Sequence, residues 1–238
     1  MSGVKMTYRG LSIGEMSNSG TKTLKTAGKY CEADIVVKYT APSTTTGTDE
    51  LAKKLITGDG LTTSFSLPED IDTIRNYAFY NLGYLAITSL PSSVTEIGDY
   101  AFYNCSTNIA SLPSSLYYIG RYAFARENNA SAGYELVFNS LPEGLLRIGD
   151  YAFANLYNGF NLTYLPSTIK TIGECIFSNC TAITTITFKG TPTSIDSKAF
   201  KDCSNLTTIN VPWSKGTVSG APWGAKFNAT INYNYTES

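Results

Sequence analysis

The sequence predicts an α/β solenoid, mostly β, in which about seven coils of short strands and single helical turns stack into a superhelix behind a small β hairpin module. Three observations carry this. Aromatic residues recur at Phe79, Phe102, Phe124, Phe153, Phe177, Phe200 and Trp223, with spacings of 23, 22, 29, 24, 23 and 23 residues, and a period in this range marks stacked coils. Ile74, Ile97, Ile119, Ile148, Ile172, Ile195 and Val218 each stand five residues before the aromatic, and Ala78, Ala101, Ala123, Ala152 and Ala199 stand directly before it. Pro68, Pro91, Pro113, Pro142, Pro166 and Pro212 hold an offset of eleven, whereas Pro192 lies eight before Phe200, so that coil has lost residues on the proline side.

Residues 1–40 do not repeat. Gly20-Thr21-Lys22-Thr23-Leu24-Lys25 and Ala33-Asp34-Ile35-Val36-Val37-Lys38-Tyr39, separated by Ala27-Gly28-Lys29, read as two strands. A lone hairpin is too small to be stable, so this one has to pack on the solenoid end, on another copy or on a partner. Residues 41–48, rich in Ser, Thr and Pro, are a flexible linker by composition. Across 49–60, Thr48 as N-cap, Asp49 and Glu50 in the first turn and Lys53 and Lys54 further on predict a capping helix closed by Gly58-Asp59-Gly60. That turn lacks the downstream ligands of a calcium loop.

Within the repeats, 61–212, each column has a physical reason. Segments ending Ala86-Ile87-Thr88-Ser89-Leu90, Leu162-Thr163-Tyr164-Leu165, Ile183-Thr184-Thr185-Ile186-Thr187-Phe188 and Leu206-Thr207-Thr208-Ile209-Asn210-Val211 alternate apolar with small polar residues, the pattern of a half-buried strand. Proline then ends the ladder by removing a donor. A second apolar pair, such as Val94 with Ile97 or Ile169 with Ile172, packs the return pass. Gly98, Gly120, Gly149 and Gly173 turn the backbone. The hexad around Asp99-Tyr100-Ala101-Phe102 predicts one helical turn that drops its aromatic inward. Asn81, Asn104, Asn155 and Asn179 follow two residues after the aromatic, where left-handed geometry ends that turn. No coil can bury Phe, Ile and Leu alone, but stacked coils can. Residues 213–238 depart from the repeat; Trp213 and Trp223, the latter in the aromatic register, and a strand at Ala229-Thr230-Ile231-Asn232-Tyr233 read as a closing cap.

The pattern Leu/Ile-Pro-x-x-Val/Ile-x-x-Ile-Gly-x-x-Ala-Phe-x-x-Cys, met at 90–105 and more loosely in the other coils, resembles the BspA-like (Treponema-type) leucine-rich repeat family across residues 61–235. That resemblance implies a right-handed leucine-rich-repeat superhelix and a binding or surface role, and it brings no catalytic residues. The Pro-Trp and Ala-Pro-Trp-Gly-Ala ending is similar to that of BspA-like proteins. Thr21-Lys22-Thr23-Leu24-Lys25-Thr26-Ala27-Gly28-Lys29-Tyr30 resembles short β modules of phage tail and baseplate-associated proteins.

Composition narrows the function. Net charge is −1 and only 16% of residues are charged, so no basic field exists to hold nucleic acid or anionic lipid. No stretch is apolar enough to be inserted in a membrane, and residues 1–20 hold no secretion signal, which disfavours Sec export if Met1 is the natural start. With no histidine in the chain, nucleophilic triads and most metal chemistries fall away, and the carboxylates Asp99, Asp150 and Glu174 share a column expected on a solvated edge. No enzyme activity and no cofactor are expected. Five cysteines, an odd number, argue against a disulfide framework. Cys105, Cys180 and Cys203 stand three residues after the aromatic, where Leu82 and Leu156 stand in other coils, so they read as buried hydrophobes. Whether Cys180 and Cys203 are bridged stays open, although side chains stacked in register project in parallel and bridge poorly.

A recognition or scaffold protein remains, with protein or glycan as partner, and two candidate surfaces. Tyr77, Tyr100, Tyr122 and Tyr151 form a column continued by Cys175 and Lys198, which reads either as an exposed aromatic stripe or as a self-supporting ladder. Arg126, Glu127, Asn128 and Asn129 open the extra length between Phe124 and Phe153, and insertions in repeat arrays map to loops that bind or are merely tolerated. Tyr164, in a hydroxyl-rich strand column, is a further candidate for an extended partner. Residues 1–40 are a possible homo-oligomer contact. The expected setting is a phage or prophage tail-associated component, with a bacterial cell-surface adhesin as the alternative.

Overall fold

The computed structural model describes residues 6–8, 11–13, 19–26, 34–40, 64–67, 71–81, 83–85, 87–127, 136–157, 160–226 and 228–237. The linker expected at 41–48, the helix at 49–60 and Asn128 and Asn129 lie outside them.

The return pass is the regular wall. Two-residue strands β6 (Thr73–Ile74), β8 (Glu96–Ile97), β10 (Tyr118–Ile119), β11 (Arg147–Ile148), β13 (Thr171–Ile172) and β15 (Ser194–Ile195) form one six-stranded sheet in the order β15-β13-β11-β10-β8-β6. All pairs are parallel, with Ile74 on Ile97, Ile97 on Ile119, Ile119 on Ile148, Ile148 on Ile172 and Ile172 on Ile195. Like residue therefore sits over like, as the constant offset of five predicts, and these isoleucines are buried. The seventh coil adds Val218 to the core but no strand to this sheet.

The opposite wall is less regular. β12 (Tyr164–Leu165), β14 (Thr185–Phe188), β16 (Thr208–Asn210) and β17 (Thr230–Asn232) pair in parallel, as the alternating pattern predicts. In the early coils the ladder runs instead between β7 (Gly83–Leu85) and β9 (Cys105–Thr107), earlier than the segment expected at 86–90. Ile87 and Ile109 still reach the core, joined across coils by looser bonds from Asn108 N–H to Ile87 O and Ala110 N–H to Thr88 O.

No helix occurs among the described residues. The expected helical turn is a run of β-turns: Ala101 N–H donates to Gly98 O at 3.3 Å, Tyr103 N–H to Tyr100 O at 3.2 Å and Cys105 N–H to Phe102 O at 3.1 Å. The reason is the coil-to-coil bonding, which claims the intervening amides. Tyr100 N–H goes to Arg121 O, Phe102 N–H to Ala123 O and Asn104 N–H to Ala125 O, at 2.7–3.0 Å. A helix would have turned those donors along its own axis.

Inside, Phe79, Phe102, Phe124, Phe153, Phe177 and Phe200 are at most 1% exposed and stack with centroids 5.1–6.4 Å apart. Each fully buried phenylalanine contributes roughly 1.5–3 kcal/mol. Trp213 and Trp223 close the core, edge to face at 6.2 Å, with Trp213 also edging Phe188 at 5.1 Å. Trp223 does not keep the aromatic register. Its carbonyl takes the Phe200 amide, a bond that earlier coils give to the residue before the aromatic, so the backbone has slipped by one and only the ring returns to the core.

At the N-terminal end, β1 (Met6–Tyr8), β2 (Leu11–Ile13), β3 (Ser19–Thr26), β4 (Asp34–Thr40) and β5 (Ser64–Ser66) form an antiparallel sheet in that order. The expected hairpin is its β3–β4 pair. The sheet is completed by β5, drawn from the first coil, through Val36 on Ser66.

Candidate binding surface

The turns at Gly98, Gly149 and Gly173 begin with a glycine after the strand and place two residues in left-handed backbone. In the second coil these are Tyr100 at φ 56° and Asn104 at φ 53°, each the third residue of a hydrogen-bonded turn. That position requires positive φ and suits glycine or asparagine. Asn81, Asn104, Asn155 and Asn179 meet it, as their column predicts. Tyr77, Tyr100, Tyr122 and Tyr151 meet it too, at φ 52–62°, where a side chain with a Cβ costs about 1–2 kcal/mol. The inter-coil bonds hold them there, and the result is a sharp reversal. Phe102 points inward while Tyr100, two residues earlier, points out.

The outward tyrosines form two rows. Tyr77, Tyr100, Tyr122 and Tyr151 stack at 5.0, 4.9 and 4.8 Å with planes within 16° of parallel. Tyr80 and Tyr103 stack at 5.2 Å beside them and meet the first row edge-on at 5.5–6.3 Å. Tyr77 and Tyr80 are 40% and 41% exposed; Tyr100, Tyr103, Tyr122 and Tyr151 are half-buried. The inner rings of the first row thus turn their faces to their neighbours and stay half-buried. Partial burial raises the Tyr100 and Tyr103 phenols above their ordinary value, and a hydrogen bond with Cys175 raises Tyr151. The row stops at Cys175, which is buried.

The remaining candidates do not join this surface. Arg126 occupies the asparagine column and is only 8% exposed, its amide donating to Ala154 O, so it belongs to the end of the turn. Glu127 is exposed, donates its amide to Asn104 Oδ1 at 2.8 Å and accepts from Asn104 Nδ2 at 3.2 Å. Tyr164 lies on the β12 wall, where its hydroxyl donates to Glu237 Oε1 at 2.5 Å and Lys189 Nζ stands 4.8 Å over its ring.

The carboxylate column is not a solvated edge throughout. Asp99 and Asp150 line a hollow of about 310 Å³ with Tyr118, Arg121, Arg147 and Thr171. Asp99 Oδ1 accepts the Arg121 amide at 2.7 Å and Asp150 Oδ1 the Glu174 amide at 2.9 Å, so each carboxylate caps the next coil. The glycines after the strands let consecutive coils approach closely beside the hollow. A Cβ at Gly173 would meet Asp150 Oδ1 at 2.4 Å, and one at Gly149 would meet Arg121 N at 2.7 Å. Burial raises the Tyr118 phenol, helped by Asp99.

Cys105, Cys180 and Cys203 are buried and free, as is Cys175. Cys180 Sγ donates to Phe153 O at 3.0 Å and Cys203 Sγ to Phe177 O at 3.2 Å, each thiol facing the preceding coil's backbone rather than another sulfur. Burial pushes the Cys105 and Cys180 thiols up to about 12.

Tyr80 and Tyr103, one residue after the aromatic, were legible as an equal offset in two coils. Tyr118, Arg121 and Arg147 were not, because each breaks its column: Arg121 stands where other coils carry Asp99, Asp150 and Glu174, and Tyr118 and Arg147 stand where others carry Thr73 and Thr171.

The profile of the family described as BspA type Leucine rich repeat region (6 copies) matches residues 57–134 and 127–220. Solved structures similar to the chain include a T. pallidum leucine-rich repeat protein, 26% identical over 68% of this chain and 74% of its own, with a TM-score of 0.42. A leucine-rich repeat protein from Bacteroides ovatus ATCC 8483 is 17% identical over 71% of this chain and 59% of its own, with a TM-score of 0.24. No curated protein matches.

Proposed function

The chain belongs to the BspA type leucine-rich repeat family, and on that premise we propose that it is a non-catalytic recognition protein whose double row of tyrosines contacts a protein partner. The observation that carries this is the outward placement of Tyr77, Tyr80, Tyr100, Tyr103, Tyr122 and Tyr151 on a backbone held left-handed at four of the six. Tyrosine, rigid and amphipathic, is the side chain enriched where protein surfaces meet. A sugar stacks on a ring face, and here the inner rings spend their faces on each other, which favours a protein over a glycan. The test is a side-by-side screen of the full chain and its Y100A/Y122A double variant against protein extracts and a glycan array. Retained cooperative unfolding of the variant is the control. Protein capture that the variant loses supports the reading, and a glycan hit indifferent to the substitutions overturns it.

The antiparallel sheet that β5 ties to the first coil supports a second element: residues 1–40 attach the solenoid to a larger assembly, a phage or prophage tail, or alternatively a bacterial surface on which the chain acts as an adhesin. Sizing tests the attachment. A dimer or trimer lost on deleting residues 1–40 supports it, and a monomer indifferent to the deletion counts against it.

A further inference from the structure

The tyrosine rows border the hollow, and Arg121 joins the two. Its guanidinium stands 5.2 Å over the Tyr122 ring, and across the hollow the Arg147 guanidinium stands 5.6 Å over the Tyr118 ring. Both arginines are exposed. Among the described residues the ion pairs are Lys189 with Glu143, Lys198 with Glu174 and Lys201 with Asp202, so neither arginine is in one. The neighbouring acids are already engaged. Asp99 and Asp150 hold backbone amides, Glu96 accepts from the Tyr117 hydroxyl, and Glu174 takes Lys198 Nζ at 3.1 Å. Two guanidiniums packed on tyrosine rings, in no ion pair among the described residues although Asp150 lies close enough to attract Arg121, face one hollow.

We propose that this hollow seats an aspartate or glutamate side chain of the protein partner, held by Arg121 and Arg147 while the tyrosine rows cover the surface around it. This rests on the reading of the rows as a protein-binding surface and names the chemistry of their anchor. The guanidinium fork matches a carboxylate with two parallel hydrogen bonds, and arginine and tyrosine are the side chains that dominate binding energy at interface centres. The volume of about 310 Å³ is at the small end of ligand pockets and suits one side chain. Asp99 and Asp150 sharpen the choice. A singly charged carboxylate on the arginine side avoids them, whereas a phosphate carries nearly twice the charge into the same space.

The test uses the full chain, ¹⁵N-labelled, titrated with the blocked peptide Ac-Glu-Glu-Glu-Glu-NH2 and with its glutamine counterpart, reading the arginine Nε–H signals. The expected result is a saturable shift at Arg121 and Arg147 with the glutamate peptide alone, weakened about tenfold, the equivalent of 1.4 kcal/mol, by R121Q or R147Q. It should also weaken as salt is raised. Equal shifts with the glutamine peptide overturn the proposal, as do shifts spread over Arg9 and Arg75 and unchanged by R121Q and R147Q. The tyrosine reading is judged separately. Partner capture lost with Y100A/Y122A but indifferent to R121Q and R147Q removes the anchor and leaves the rows. Capture that survives Y100A/Y122A removes the rows even where the glutamate peptide still binds.

Discussion

Phe102 and Tyr100 lie two residues apart in one turn, and each stacks on its counterpart in the next coil, at 5.2 Å and 4.9 Å. The two columns behave differently along the chain. Phenylalanine fills its column in six coils and is invisible to solvent. Tyrosine gives way to Cys175 and Lys198 in the fifth and sixth coils, whose backbones still bond, Cys175 N–H now donating to Lys198 O where the earlier coils use the residue before the outer position. Stacking alone therefore does not demand tyrosine. The inner column is what the coils need to cohere; the outer one is tolerated by the coils and explained by what it faces.

The largest expected effect tests that division. F153A removes a ring stacked between Phe124, Phe160 and Phe177 and should cost roughly 3–5 kcal/mol in urea unfolding. Y151A, in the same turn, should cost about 0.5–1.5 kcal/mol. Equal losses would erase the distinction between the columns.

The thiols behind the inner column sharpen it next. Cys180 ionises at 9.0 when unfolded and is pushed up to about 12 by burial, so the fold binds a proton that the unfolded chain has released. Its contribution is complete below pH 9 and falls as pH rises toward 12, by about 1.4 kcal/mol per pH unit. C180L, which places in the column the residue type of Leu156, should show a shallower loss of stability between pH 9 and 11 than the parent. An unchanged slope would mean that the thiol is wet.

Smaller still is the backbone cost of the outer column. Inside a helix or strand glycine is worse than alanine, but at φ 52° Tyr122 sits where glycine is free of strain. Y122G should therefore be more stable than Y122A by about 1 kcal/mol, measured by denaturant midpoints. The reverse order would mean that the left-handed turn is lost when the ring goes. The smallest expected effect lies away from both columns. Ser115 Oγ is within 2.7 Å of Ser92 O and 2.6 Å of Val94 O in the preceding coil, and S115A, which removes bonds near the surface, should cost about 0.5 kcal/mol.

Much of this was legible beforehand. Gly98 and Asn104 announced where the chain turns, and the interchange of cysteine with leucine announced that Cys105 and Cys180 are packing groups. The turn itself was misread as helical because three residues between Gly98 and Phe102 carry no information about where their amides go; the neighbouring coil supplies those acceptors. Trp223 kept its spacing but not its register, since spacing in sequence counts residues and not the slip at Gly220-Ala221-Pro222. Arg126 looked like the start of a loop, yet it occupies the asparagine column that ends the turn, with its amide on Ala154 O.

By itself the sequence determined that coils stack, which residues lie over which, and that the core is a file of phenylalanines, because a repeated apolar residue has only its own copies to hide against. Only the tertiary structure decided that the tyrosines stand outward in left-handed backbone, and that Arg121 and Arg147 overlook one hollow. The first depends on hydrogen bonds between coils that hold a strained angle, and the second on residues from different coils that share no periodic pattern. Neither is a property that any single turn of chain possesses.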